Sequence, residues 1–185
     1  MKDLAQAFID YGTAAKIQFD YKAEGCEISD RVTAVTAEEM GESLSYDKDV
    51  MTAMGLSTSI NLDFKEDNSL YVYFTLPNGK TVDDYTFTIK KGDTVQAATA
   101  TLVSGQRYQL VVGNIAAKNL ADFYDFTITE KATNDSFAVH VSAIAYAKMT
   151  VELNRDSTNQ EKISMMNLAK ALYLYNKAAI AYFSN

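Results

Sequence analysis

Twelve tyrosines, no tryptophan, one histidine and one cysteine define the side-chain chemistry open to this chain. His140 lies in the alternating run FAVHVS. Acid–base work would need it in a cleft, within reach of an orienting carboxylate and a nucleophile, and no nucleophile-elbow pattern supplies the latter. The expected state is a half-buried strand histidine. Cys26, in AEGCEIS, has no second cysteine to bridge to, and Glu24 and Glu27 give none of the cationic company a reactive thiolate needs. One His and one Cys cannot build a zinc site of the usual composition, so no metal and no cofactor are expected.

Carboxylates are plentiful: Glu38, Glu39 and Glu42, then Asp63, Glu66 and Asp67, Asp83 and Asp84, and Asp122 and Asp125. A glycosidase needs two of them facing each other across a cleft. These fall at turns and helix starts, where capping and solvation are the ordinary roles of a carboxylate. The loops KEDNS and NRDSTN offer oxygens to calcium but lack the EF-hand spacing with its central Gly and terminal Glu. No catalytic residue and no enzyme activity are expected.

The tyrosines are more informative. In LYVYFTL, alternation puts Tyr71 and Tyr73 on one side of a strand and Leu70, Val72 and Phe74 on the other. Rings two residues apart on a strand make an aromatic strip against which the C–H face of a sugar can stack. The reading preferred on sequence grounds buries the same rings beneath the docked terminal helices, with the hydroxyls reaching the surface, because both helices need an apolar surface to cover.

Such a strip needs a sheet to carry it. STSINLDF places Ile60, Leu62 and Phe64 on one side, and DYTFTI alternates at Tyr85, Phe87 and Ile89, with turn chemistry at Pro77, Asn78 and Gly79 and again at KKGD. VQAATATL, RYQLVVGNI, YDFTIT and FAVHVS continue the pattern. About six to eight short strands with brief links predict an antiparallel β-sandwich. AIAYAKMTVEL then changes to helical spacing at Ile144, Ala147 or Lys148, and Val151. Asp156, Ser157 and Thr158, with Glu161 three beyond Thr158, predict a capping box for the last helix, and Thr36 with Glu39 predicts a short one.

The chain begins DLAQAFIDYGTAAKIQF and nearly ends NLAKALYLYNKAAIAYF. Leu4, Ala5, Ala7, Tyr11, Ala14, Ala15 and Phe19 recur as Leu168, Ala169, Ala171, Tyr175, Ala178, Ala179 and Phe183, a constant offset of 164. Leu4, Phe8, Tyr11 and Phe19 form one helical stripe, and Leu168, Leu172, Tyr175 and Phe183 repeat it; both are expected docking faces. Burying each large side chain is worth about 1.5–3 kcal/mol, so neither helix is expected to stand free in water. Either one domain has duplicated a helix, or the first copy closes a preceding module. A stripe without its natural cover makes a dimer through the terminal helices a further expectation.

The formal charge of −7 comes with no basic block longer than Lys90 and Lys91, which excludes the footprint of a nucleic-acid or anionic-lipid binder. No run nears the ~20 apolar residues of a membrane span, because Lys170 and Lys177 interrupt the most apolar region. Asp3 and Asp10 deny the first residues the apolar centre of a secretory signal. The remaining options are a cytoplasmic protein or a piece of a longer exported one.

Taken in order, VTAEEM, GLSTSINLDF with SLYVYFTL, YQLVVGNIAAKNLADFYDFTI, SAIAYAKM and NLAKALYLYNKAAIAYF resemble a repeated module of large surface proteins of gut Firmicutes. Such proteins often also carry leucine-rich repeats, Ig-like domains or cellulosome-type dockerins. The resemblance covers residues 30–185, and the opening helix resembles the closing helix of a preceding module. It implies a non-catalytic structural or adhesion module of an exported multimodular protein, extracellular or at the cell surface. Its implied partners are neighbouring modules of the same polypeptide and a glycan or surface protein, with no nucleic acid and no membrane insertion. The alternative is a carbohydrate-binding module using Tyr71 and Tyr73. The expected fold is α+β: an antiparallel β-sandwich of Ig-like architecture over 56–142, a terminal helix at 1–22, a loop with a short helix at 23–55, and packed C-terminal helices at 143–185.

Overall fold

The structure, a computed structural model, describes residues 1–63 and 68–184. Phe64 of the run STSINLDF, and Glu66 and Asp67 with the rest of residues 65–67 in KEDNS, lie outside the described residues. Elements follow in the order α1 (Lys2–Gln18), α2 (Asp30–Thr33), β1 (Ser45–Tyr46), α3 (Lys48–Ala53), β2 (Ser57–Asp63), β3 (Ser69–Thr75), β4 (Tyr85–Lys91), β5 (Thr94–Ala97), β6 (Thr101–Ser104), β7 (Arg107–Val112), β8 (Tyr124–Glu130), β9 (Ser136–Val141), α4 (Ala143–Asn154) and α5 (Gln160–Phe183). They form two units, one helical (1–43, 116–121 and 143–185) and one of β structure (44–115 and 122–142).

The β unit holds two sheets, ordered β2-β3-β7-β6 and β1-β9-β8-β4-β5. Every pairing is antiparallel. Named A, B, C, C′, D, E, F and G in chain order, β2 to β9 give A-B-E-D and G-F-C-C′, the strand order of an immunoglobulin-type sandwich. The fold is therefore α+β with an antiparallel two-sheet sandwich. Leu70, Val72 and Phe74 of β3 are buried, as the alternation requires, together with Leu110, Phe126, Ile128, Phe137 and Val139. The Phe74 ring lies 5.4 Å from that of Phe87 on the other sheet, so the inner faces of the two layers meet.

Two details differ from the sequence reading. VQAATATL is not one run: β5 pairs with β4, the Ala98 amide still donates to the Phe87 carbonyl, and the chain then crosses to the other sheet as β6. The β unit also begins at Leu44, ahead of the expected start at 56, because Ser45 and Tyr46 pair with His140 and Val139 at the edge of β9. A two-residue strand is too short to show a period.

In the helical unit α1 lies antiparallel on α5. Met1 and Leu4 line one groove with Ala179, Tyr182 and Phe183, whereas Ala14 clusters with Ala171 and Val32 at the other end. Tyr11 stacks on Tyr175, centroids 5.9 Å apart and planes 16° from parallel, and Phe8 meets Tyr175 edge-on. Burial, with Tyr175 adding to it, pushes the Tyr11 phenol up to about 12.

The expected docking stripe is corrected here. On α1 the buried residues are Ala7, Asp10 and Ala14, with Leu4 and Tyr11 half-buried, while Phe8 is 61% and Phe19 72% exposed. On α5, Leu172 is buried, Leu168 and Tyr175 are half-buried, and Phe183 is 59% exposed. Small residues at the crossing let the two backbones approach, and that contact displaces the large rings to the flanks.

α4 buries Ile144, Ala147 and Val151 as its spacing requires. The cap of α5 is Asn159, accepting from the Lys162 amide at 3.2 Å, one residue beyond the expected Thr158. Thr36 does accept from the Glu39 amide, at 3.4 Å, but it opens only a single 3-10 turn, Glu38–Met40.

Candidate binding face

Tyr71 and Tyr73 emerge on the outer side of the four-stranded sheet. Strand register fixes what stands beside them: Ser59, Tyr73, Gln109 and Thr101 form one row across β2, β3, β7 and β6, and Asn61, Tyr71 and Val111 form the next. Arg107 sits one row away, opposite Thr75. Both tyrosines are half-buried, and Ser59, Asn61, Thr101 and Arg107 are exposed.

The two rings are nearly parallel, 14° between planes, with centroids 5.9 Å apart. The Arg107 guanidinium lies over the Tyr73 ring, 4.7 Å from its centroid, and donates to the Ser59 hydroxyl at 3.0 Å. The strip is thus not two bare rings. One face of Tyr73 carries a cation, held there by the ring quadrupole and by Ser59. What the surface presents is an aromatic pair, a fixed guanidinium, and amide and hydroxyl groups within one or two rows. An aromatic body with polar groups at set positions is the composition that sugar rings require, since they are apolar on their C–H faces and hydroxyl-bearing at their edges.

The sequence singled out Tyr71 and Tyr73 but not their neighbours. Arg107, Gln109 and Val111 alternate with Tyr108, Leu110 and Val112, which marks them as outward. Only the β3–β7 register reveals that they flank the tyrosines.

His140 faces Asp125 across the β8–β9 register, its Nδ1 2.5 Å from a carboxylate oxygen, and stacks on Phe123 with centroids 4.3 Å apart. The orienting carboxylate that acid–base chemistry asks for is therefore present. The residue opposite on β1 is Ser45, exposed on a two-residue edge strand. This row of three lies open on a sheet surface, with about a third of the His140 and Asp125 side chains solvated, and not in a cleft that could desolvate a reaction.

Asp84, Glu38 and Asp122 have local roles. Asp84 accepts from the Thr81 amide at 2.7 Å, and that bond lowers its pKa. Glu38 is lowered chiefly by a hydrogen bond from its own backbone amide and then by Thr36. Asp122 pairs with Lys91 at 2.7 Å, which raises the Lys91 pKa, and the same ammonium lies 5.4 Å from the centre of the Tyr124 ring. Lys91 and Tyr124 border a concavity of about 510 Å³ in the β unit, where no histidine, cysteine or carboxylate is among the lining residues. Among the described residues no group of three or more His, Cys, Asp and Glu side chains could hold a metal ion, and no helix is long and apolar enough to cross a membrane.

Compared with protein-family models, with curated proteins and with solved structures, the chain matches none of them. The immunoglobulin-type order of its sheets accordingly stands on topology alone.

Proposed function

We propose that this chain is a non-catalytic adhesion module of an exported multimodular bacterial surface protein. The observation that carries the reading is the α1–α5 pair. One chain holds two copies of one helix, 164 residues apart, and they pack on each other as the closing helices of consecutive modules would. The resemblance of its ordered phrases to a repeated surface module supports the same reading, as does an acidic charge of −7 suited to a solvated exterior. Incubating the purified chain with polysaccharide and peptide mixtures, with products read by mass spectrometry, tests it. Intact substrates and measurable adhesion to mucin or cell-wall surfaces are expected. Cleavage of any bond at an enzyme's rate rejects the proposal.

A second reading is favoured by one specific arrangement, the Tyr71–Tyr73 pair with Arg107, Ser59, Asn61 and Gln109 around it. In it the module binds carbohydrate, with Tyr71 stacking on the sugar and Arg107 with the amides fixing its hydroxyls. Affinity gel electrophoresis and a glycan array are the direct tests. Retarded migration that disappears in Tyr71→Ala/Tyr73→Ala is the expected result; retardation unchanged in the folded double variant eliminates this site.

A further inference from the structure

α1 and α5 are not merely similar helices in contact; they use the same face. Tyr11 and Tyr175 are equivalent under the offset of 164, and they stack on each other. Ala14 clusters with Ala171, the equivalent of Ala7, and both Ala7 and Ala171 are fully buried. An antiparallel pair in which each residue meets the equivalent of its partner has a local two-fold axis, here passing between the two tyrosines. Such a contact is isologous: the surface is its own complement.

α1 is nevertheless the poorer occupant of its place on α5. Two buried polar atoms of α1 lack a hydrogen-bond partner, one Asp10 carboxylate oxygen and the Gln18 side-chain oxygen. The nearest cation to that Asp10 oxygen is Arg31, at 3.9 Å. Leaving such groups buried and unsatisfied works against the docked state. The equivalents of Asp10 and Gln18 on α5 are Leu174 and Tyr182, an apolar side chain and one whose hydroxyl sits at the end of a long ring. At Leu4, Ala7, Tyr11 and Ala14 the two helices carry identical residues. α5 thus keeps those four in identical form, holds Leu172 in place of Phe8, and lacks both side chains that oppose the contact.

We propose that the face of α5 holding α1 is a self-pairing surface, and that when α1 leaves it the surface takes α5 of a second copy of this chain, antiparallel, with Tyr175 against the second copy's equivalent tyrosine. α1 is then an internal cover that holds the chain as a monomer. The pairing also closes on itself. A helix engaged through this face has none left for a third, so contacts of this kind produce twofold assemblies and do not propagate along a string of modules.

The test uses the full chain with Cys26→Ser to remove the native thiol. Ala7→Glu/Ala14→Glu places two charges on buried α1 positions and expels α1 while leaving α5 unaltered. Light scattering should give a doubling of mass at tens of micromolar, and Tyr175→Cys in that background should link to itself through a short bis-maleimide. Adding a synthetic peptide of residues 1–19 should restore the single-chain mass. A folded variant that remains monomeric overturns the proposal, as does a dimer that Tyr175→Cys fails to link. Where the double variant does not fold, Asp10→Leu/Gln18→Tyr in the otherwise native chain decides the matter, because it gives α1 the side chains of α5. Amide exchange along α1 should slow tenfold or more; exchange that quickens shows that the surface is built for the carboxylate and overturns the idea.

Discussion

Phe74 and Tyr73 are adjacent in sequence, and their substitution by alanine should separate core from binding face. Phe74 is 1% exposed and touches Phe87 at 5.4 Å and Tyr108 at 5.9 Å between ring centres. Phe74→Ala leaves a ring-sized void between two sheets that cannot collapse onto it, at a cost of about 3–5 kcal/mol. Tyr73→Ala removes a half-buried ring, its parallel partner Tyr71 and the Arg107 cation over it, contacts worth together about 1–1.5 kcal/mol on a solvated sheet face. Amide hydrogen exchange of a peptide spanning β3 reads the β unit separately from the helices. At about 1.4 kcal/mol per tenfold, Phe74→Ala should raise exchange of the most protected amides on the order of a thousandfold and Tyr73→Ala about tenfold. Glycan retardation should follow the reverse order once each variant is compared at a temperature where it is folded. Equal effects of the two variants on exchange would mean that Tyr73 is a core residue, and the outward-face argument would fail with it.

Three further outcomes are expected. Burial pushes the Tyr11 phenol up to about 12 from an ordinary value of 10.0, so its docked, neutral form stabilises α1 fully below pH 10, and that stability is lost as pH rises through 12; burial also raises Tyr85 and Tyr146, so absorbance at 295 nm should show a set of late-ionising phenols in the wild type that is smaller by one in Tyr11→Phe. Asp47 caps α3 by accepting from the Asp49 and Val50 amides at 2.9 and 3.0 Å, so Asp47→Ala should cost about 0.5–2 kcal/mol and Asp47→Asn much less, measured by urea denaturation. Gly55 has φ +65°, and a Cβ there would meet the Pro77 ring at 3.1 Å, so Gly55→Ala should cost about 1–2 kcal/mol in the same assay.

Much of the β unit was legible because its signal is local. LYVYFTL alternates strictly, and the structure buries Leu70, Val72 and Phe74 and turns Tyr71 and Tyr73 outward. Antiparallel pairing followed from link length. The partners of the tyrosines were not legible, because Arg107 reaches Tyr73 through a register set across 34 positions of chain, and no local period encodes that. The split of VQAATATL was hidden for a related reason: three small residues, Ala98–Ala100, change sheets without a Gly or Pro to mark the corner. On α1 the error was one of weighting. Phe8 and Phe19 dominate any hydrophobic stripe, yet where two helices cross closely the alanines decide which side faces in, and Asp10 is carried inward with them.

The fate of Asp10 connects the helical unit to the proposed role. A helix selected only to dock on α5 would not bury a carboxylate with one oxygen unpaired and Arg31 3.9 Å away, when the equivalent place on its own repeat holds Leu174. An imperfect cover can be displaced. Under the proposed carbohydrate-binding role that matters, because two copies joined through α5 would carry two strips, and a second contact forms at the effective concentration set by the first. Arg31 is then the residue to watch: its guanidinium lies 3.9 Å from the Asp10 carboxylate midway along α1, so Arg31→Ala should shift the balance from covered monomer toward paired copies, read by light scattering, without touching either the tyrosine strip or the α5 face.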